Sequence, residues 1–180
     1  MNARQELDRL RNLEPAPRAQ VFRLFDRLEG TDPAFMTGLW KGAELKTGHP
    51  MDGLLEASGW FGKRITGPEA VDPLVFRNKT GKLFRINPGL LPLSVPFGIL
   101  PRSLVRRTAP DILPLLKTQK SRARIRMMEH RGATAAAMLY DQLPIVDVFR
   151  KVDDCTVLGM MDMKGQQPYF FILERVRSRQ

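Results

Sequence analysis

The side chains of this 180-residue chain best suited to nucleophilic or proton-transfer chemistry are two histidines and one cysteine. His49 stands in TGHPMDG, three residues before Asp52. A His–Asp pair at a pocket could exchange protons with a bound molecule. The same spacing also lets both side chains cap a short helix and its turn, and that structural role is the expected one. His130 follows Glu129 beside a hairpin turn and carries the same structural expectation. Cys155 follows Asp153 and Asp154, whose charges disfavour a thiolate. These residues lie in separate segments and form no metal-ligand spacing. No phosphate-binding Gly-rich loop, dinucleotide fingerprint or nucleophile elbow occurs. The sequence therefore assigns no catalytic residue, metal or cofactor. A binding protein is the expectation, with catalysis through His49 the third alternative.

A second pattern is electrostatic. In SRARIRMM, Arg122, Arg124 and Arg126 alternate with Ala123, Ile125 and Met127. On a strand three guanidiniums then share one face at about 6.5–7 Å spacing, close to the phosphate repeat of an extended nucleic acid. Lys117, Lys120, Arg102, Arg106 and Arg107 could enlarge the patch. With 29 Lys and Arg against 19 Asp and Glu, the chain carries a formal charge of +10. Such an excess predicts an anionic partner. No aromatic residue interleaves the arginines, so the reading is sequence-independent contact with nucleic acid or an anionic membrane surface. For the membrane, Leu90, Leu91, Phe97 and Ile99 could enter a bilayer beside the arginines. The opposing reading makes the arginines a solvated face and the apolar loop a cover for the barrel.

Few elements are needed to position these groups. Residues 1–30 read as an N-terminal helical arm: one helix over 3–14, with Leu7, Leu10 and Leu13 on a stripe, and a second over 17–28, with Val21, Phe22, Phe25 and Leu28 on one face. Residues 31–88 open on a capped turn, TDPAFM, and continue as strands near 38–46, 59–66, 73–78 and 81–87, with a short helix near 51–57. Residues 89–118 form a Pro-rich apolar loop and short helices lying across one mouth. Residues 119–180 contain five strand-length runs, RARIRMMEH, GATAAAMLYD, PIVDVFRKV, CTVLGMMDM and PYFFILERV, separated by tight turns. Short connections make these an antiparallel meander. Closure into one barrel of about nine to ten strands would remove the exposed edges.

The motif Gly38-x-Trp40-x-Gly42 gives that closure a mechanism. A flat indole at the start of the first strand fills one barrel end, and Arg175 from the last strand is predicted to stack on it, with Arg177 as second choice. Gly-x-Trp after a helical turn, an antiparallel meander and a late arginine resemble the calycin barrels: lipocalins, fatty-acid-binding proteins and nitrobindins. The segment PMDGLLEAS resembles the helical lid of fatty-acid-binding proteins. A closer resemblance, carried by GLWKG, ELKTGHPMDGLLEASGWFGKRI and the block from RMMEH to PYFFILER, is to bacterial GXWXG-domain proteins with a C-terminal domain of unknown function. That resemblance implies fold, not activity. The internal Arg-x-Tyr of fatty-acid-binding proteins and the C-terminal haem histidine of nitrobindins are both missing.

Together these observations predict a mainly β protein, a closed antiparallel calycin-like barrel with N-terminal helices and a short helical lid. Its expected role is non-catalytic binding of a hydrophobic or amphipathic, anionic, lipid-like ligand. Trp60, Phe61, His49, Met127, Met138 and Met160 are the predicted lining, with Met163 beside them. Lys120, Arg106, Arg107 and the three strand arginines are the candidate anion contacts. Ala133, Ala135 and Ala137 share one face, which either admits a packed helix or leaves interior volume. A single cysteine and the lack of an uncharged run of roughly 18–20 residues point to a cytoplasmic protein.

Overall fold

In the computed structural model, which describes residues 2–91 and 100–177, ten strands form one sheet. They are β1 (Glu29–Gly30), β2 (Gly38–Glu44), β3 (Trp60–Gly67), β4 (Ala70–Arg77), β5 (Leu83–Arg85), β6 (Ala123–His130), β7 (Ala133–Tyr140), β8 (Ile145–Asp153), β9 (Thr156–Met163) and β10 (Tyr169–Arg175). Eight of them close an antiparallel circuit in the order β2, β3, β4, β6, β7, β8, β9, β10 and back to β2. Closure leaves that circuit no free edge. β1 hydrogen-bonds to β8 and β5 to β4, both outside it.

The circuit follows from local chemistry. The strands β7 to β10 alternate between two apolar environments, while the outward positions of β6 are the exposed Arg124 and Arg126. On β8, Ile145 and Phe149 point inward while Val148 points outward; on β10, Phe171 and Leu173 point inward while Phe170 and Ile172 point outward. Such alternation fixes register, because a one-residue slip would exchange the faces. At the tightest turn, Arg131 and Gly132 both adopt positive φ, 51° and 75°, as a two-residue hairpin requires. β5 contributes only three residues, because the turn before it is consumed by Asn78, whose side chain accepts from the amides of Thr80 and Lys82.

The outward apolar face is covered by α1 (Ala3–Arg11) and α2 (Arg18–Arg27). Asn2 and Gln5 form a reciprocal capping box on α1. Leu7, Leu10, Val21, Leu24 and Phe25 pack on Ala135, Ala137, Leu158 and Phe170. The alanines of β7 thus admit a helix, resolving the two readings of that face. The one-turn α3 (Pro33–Met36), capped by Asp32, delivers the chain to β2. At the opposite end lie α4 (Leu54–Ser58) and α5 (Arg102–Ile112). Phe97 and Ile99 lie outside the described residues; Leu90 is exposed, and Leu91 packs against the barrel interior.

Trp40 is completely buried, and its indole N–H donates to the Met36 carbonyl at 2.8 Å. The Arg175 guanidinium lies 4.3 Å from the Trp40 ring centre and donates to the Thr37 and Phe35 carbonyls. Arg177, the second choice for that place, instead donates to the Cys155 sulfur. Gly42 serves the other end of the motif: a side chain there would overlap the Trp60 indole.

Candidate functional site

The barrel interior is filled at the Trp40 end and hollow at the end covered by α4 and α5, where a cavity of about 300 Å³ remains. Its walls are Trp60, Leu74, Phe76, Met161 and Phe171 from the strands. Its roof comes from Leu54 and Leu55 of α4 with Val105 and Ala109 of α5. Depth can be read along the strands. On β8 the cavity touches Ile145 and Asp147 but not Phe149, and on β10 it touches Tyr169 and Phe171 but not Leu173.

At that floor sits a buried polar group. Lys63 of β3 and Asp147 of β8 are 3% and 1% exposed at the side chain, and Nζ lies 2.7 Å from Oδ2. Around the eight-strand circuit β3 and β8 are four strands apart, so the ion pair spans the bore from opposite walls. An eight-stranded interior is narrow enough for two side chains to meet in this way. The ammonium also donates to the Pro73 carbonyl at 3.2 Å and approaches the Tyr140 hydroxyl at 3.3 Å. The Tyr140 hydroxyl donates to Asp147 Oδ2 at 3.2 Å. Three rings surround the ammonium, with centres 5.0 Å away for Phe171 and 5.7 Å away for Trp60 and Tyr140. Burial, and then the Asp147 charge, push the Tyr140 phenol well above its ordinary pKa, which keeps it a neutral donor. Three polar atoms on residues of the cavity wall, Asp147 Oδ1, the Trp60 indole N–H and the Tyr169 hydroxyl, have no hydrogen-bond partner among the described residues.

The roof is held by a second buried carboxylate. Glu44 accepts from the amides of Gly53, Leu55 and Glu56, so it caps the start of α4. Burial outweighs these donors and raises the Glu44 pKa. Burial, and then Glu44, likewise push the Tyr169 phenol well above its ordinary value.

Of the predicted lining residues, Trp60 reaches the cavity. Met138 is buried inside the barrel but does not touch the cavity. Phe61 faces away from it and carries the Arg77 guanidinium 4.9 Å from its ring centre. Met160 points outward under the N-terminal helices, and Met161 takes the wall position instead. Met127, midway along β6, is 49% exposed and lines nothing inside, and Met163 only packs against the interior cluster. His49 is structural in its contacts: Nδ1 accepts from the Met51 amide at 3.0 Å and Nε2 donates to the Gln167 carbonyl at 3.0 Å. Asp52 accepts from the amides of Thr47, Gly48 and His49. His49 does not itself line the cavity but contacts two residues that do, Met51 through its amide hydrogen bond and Tyr169 ring to ring.

The arginine strand faces outward, but its charges are not idle. Arg124 pairs with Asp141 at 3.4 Å, and Arg126 pairs with Glu69. Arg106 and Arg107 are exposed on α5, as is Lys120 before β6. Arg102 donates to the Asp52 and Pro50 carbonyls and ties α5 to the turn before α4. A solvent-open basic cleft lies elsewhere, lined by Arg64, Lys82, Arg85 and Lys117, with Arg85 committed to Asp72.

Lys63, Asp147 and Tyr140 escaped the sequence reading. Alternation counted from Trp60 sends Lys63 outward, but the β3–β4 register shifts around Gly62 and turns Lys63 in. Asp147 did leave a signal: it is an acidic residue at an inward position between Ile145 and Phe149.

Comparison with known proteins agrees with this architecture. Residues 23–81 match the GXWXG protein family, and residues 121–175 match a domain of unknown function, DUF4334. No curated protein matches the chain. The crystal structure of a protein from Thermomonospora curvata aligns over 98% of this chain and 100% of its own, at 31% identity and a TM-score of 0.73. Among the described residues no helix is long and apolar enough to cross a membrane. With both segments present in order on one closed barrel, and a relative matched end to end, the chain belongs to the family that joins a GXWXG segment to a DUF4334 domain.

Proposed function

We propose that the protein is a non-catalytic carrier that holds a small, mainly apolar molecule inside the barrel, beneath α4 and α5. One observation carries this reading: a cavity of about 300 Å³ with a mainly apolar wall and a charged, neutralised pair at its floor. A mainly apolar cavity of this size is a favoured place for a ligand. At about 30 Å³ for each non-hydrogen atom, the share of a liquid water molecule, it accommodates roughly ten such atoms. The part of the cargo held inside is therefore short, and the polar floor beside apolar walls suits an amphipathic molecule. The compartment that fits this role and a single unpaired cysteine is the cytoplasm.

Native mass spectrometry of gently purified protein tests the reading. The expected result is a reproducible added mass of roughly ten non-hydrogen atoms, lost on extraction with organic solvent. A bare mass that no short-chain amphiphile changes at saturating concentration would reject it.

A further inference from the structure

The floor of the cavity selects the ligand's head group, and this inference rests on the carrier reading above. We infer that the ligand carries an uncharged hydrogen-bond donor, a hydroxyl group, which is received by the free oxygen of Asp147. Asp147 and Lys63 already neutralise each other across the bore at 2.7 Å. The nearby phenols of Tyr140 and Tyr169 are neutral. The wall therefore has no net charge to offer an ion. A carboxylate would bring a second anion beside Asp147 with one lysine between them, and an ammonium would bring a second cation beside Lys63. Either leaves an uncompensated charge in an apolar enclosure, which is strongly unfavourable. The expectation of an anionic ligand thus finds no support in the interior.

A neutral donor meets no such penalty and repairs a defect. Among the described residues, Asp147 Oδ1 has no donor although its partner oxygen has two, from Lys63 and Tyr140. A buried carboxylate oxygen without a donor is costly, and a hydroxyl that supplies one recovers that cost on binding. The Trp60 N–H and the Tyr169 hydroxyl, both on residues of the cavity wall, are likewise without a partner among the described residues. Sites built to receive a hydroxyl reject analogues that lack it far more sharply than apolar walls reject a lost methylene.

Four probes of nearly equal size separate these possibilities: 1-octanol, heptyl methyl ether, octanoate and octylamine. Each is titrated into the wild-type protein at neutral pH and followed through the indole N–H resonances. Trp60 reports on the cavity and Trp40, sealed at the far end, serves as the internal control. The expected result is a shift of the Trp60 resonance with 1-octanol, at an affinity at least about tenfold tighter than for each of the other three. Octanoate or octylamine binding as tightly as the alcohol would overturn the neutral head group and leave the carrier reading standing. The ether equalling the alcohol would overturn the role of Asp147 as acceptor in the same way. If none of the four moves Trp60, the carrier reading falls and takes this inference with it.

Discussion

Replacing Lys63 by methionine removes the cation and leaves the Asp147 carboxylate at the floor of an apolar cavity. The Tyr140 hydroxyl, 3.2 Å from Oδ2, stays as one donor, but it is present before and after the change and offsets nothing. Breaking a buried pair from one side costs about 3–5 kcal/mol. The structure places a ceiling on that figure, because the orphaned carboxylate can take up a proton. From an unfolded pKa near 3.9, protonation at pH 7 costs about 4 kcal/mol, at about 1.4 kcal/mol per unit. Lys63→Met is expected to lose about 3–4 kcal/mol near pH 7, and the deficit should shrink by about 1.4 kcal/mol for each unit of acidification toward the ordinary Asp range. The companion Lys63→Met/Asp147→Leu removes both charges and is expected within about 1 kcal/mol of wild type. Urea unfolding followed by far-ultraviolet circular dichroism at several pH values measures all three proteins. A single variant within about 1 kcal/mol of wild type near pH 7, or a loss that does not change with pH, would refute the reasoning. A folded double variant also gives the carrier reading a handle, because its cavity should still take up octanol but no longer prefer it to the ether.

Three further outcomes follow from the same packing. Gly42→Val drives a side chain into the Trp60 indole, so a loss of about 1–3 kcal/mol and a shifted tryptophan emission are expected; unchanged emission would mean that the ring is not confined there. Arg175→Lys cannot stack on Trp40 while serving both the Thr37 and Phe35 carbonyls, so a loss of about 1–2 kcal/mol is expected, or roughly 2–8 °C in a thermal melt. The folded pKa of Glu44 is raised, so its contribution is full below the ordinary Glu value and is lost as pH rises through the folded one. The stability of wild type minus that of Glu44→Gln should therefore fall as pH increases from about 4 to 7, and a difference that rises instead would show that the three amide donors outweigh burial.

Local chemistry in the sequence was enough for the container. The runs from β7 to β10 carry apolar residues on both faces, β6 alternates inward apolar residues with outward arginines, and tight turns force all five into a meander. Trp40 and Arg175 could be paired from sequence because one flat ring at the first strand and one planar cation at the last must meet where a barrel closes. The number of closing strands could not be read in the same way. β5 resembles a strand but hangs outside the circuit, since membership depends on which edges meet across the molecule rather than on the run itself.

The contents of the barrel were decided by the tertiary structure. A β-bulge near Gly62 reverses the parity of Lys63, and no count along β3 shows it, because a bulge exists only against the partner strand. Met160 and Met161 are neighbours in sequence, yet one supports the N-terminal helices and the other lines the cavity. Composition marks both as adaptable apolar residues, and only the closed circuit assigns each its side. The charges divide in the same way. Arg124 and Arg126 alternate as a phosphate-binding strand would, but Asp141 and Glu69 meet them from distant positions in the chain. Lys63 and Asp147, 84 residues apart, become one polar group only because eight strands bring opposite walls within hydrogen-bond distance.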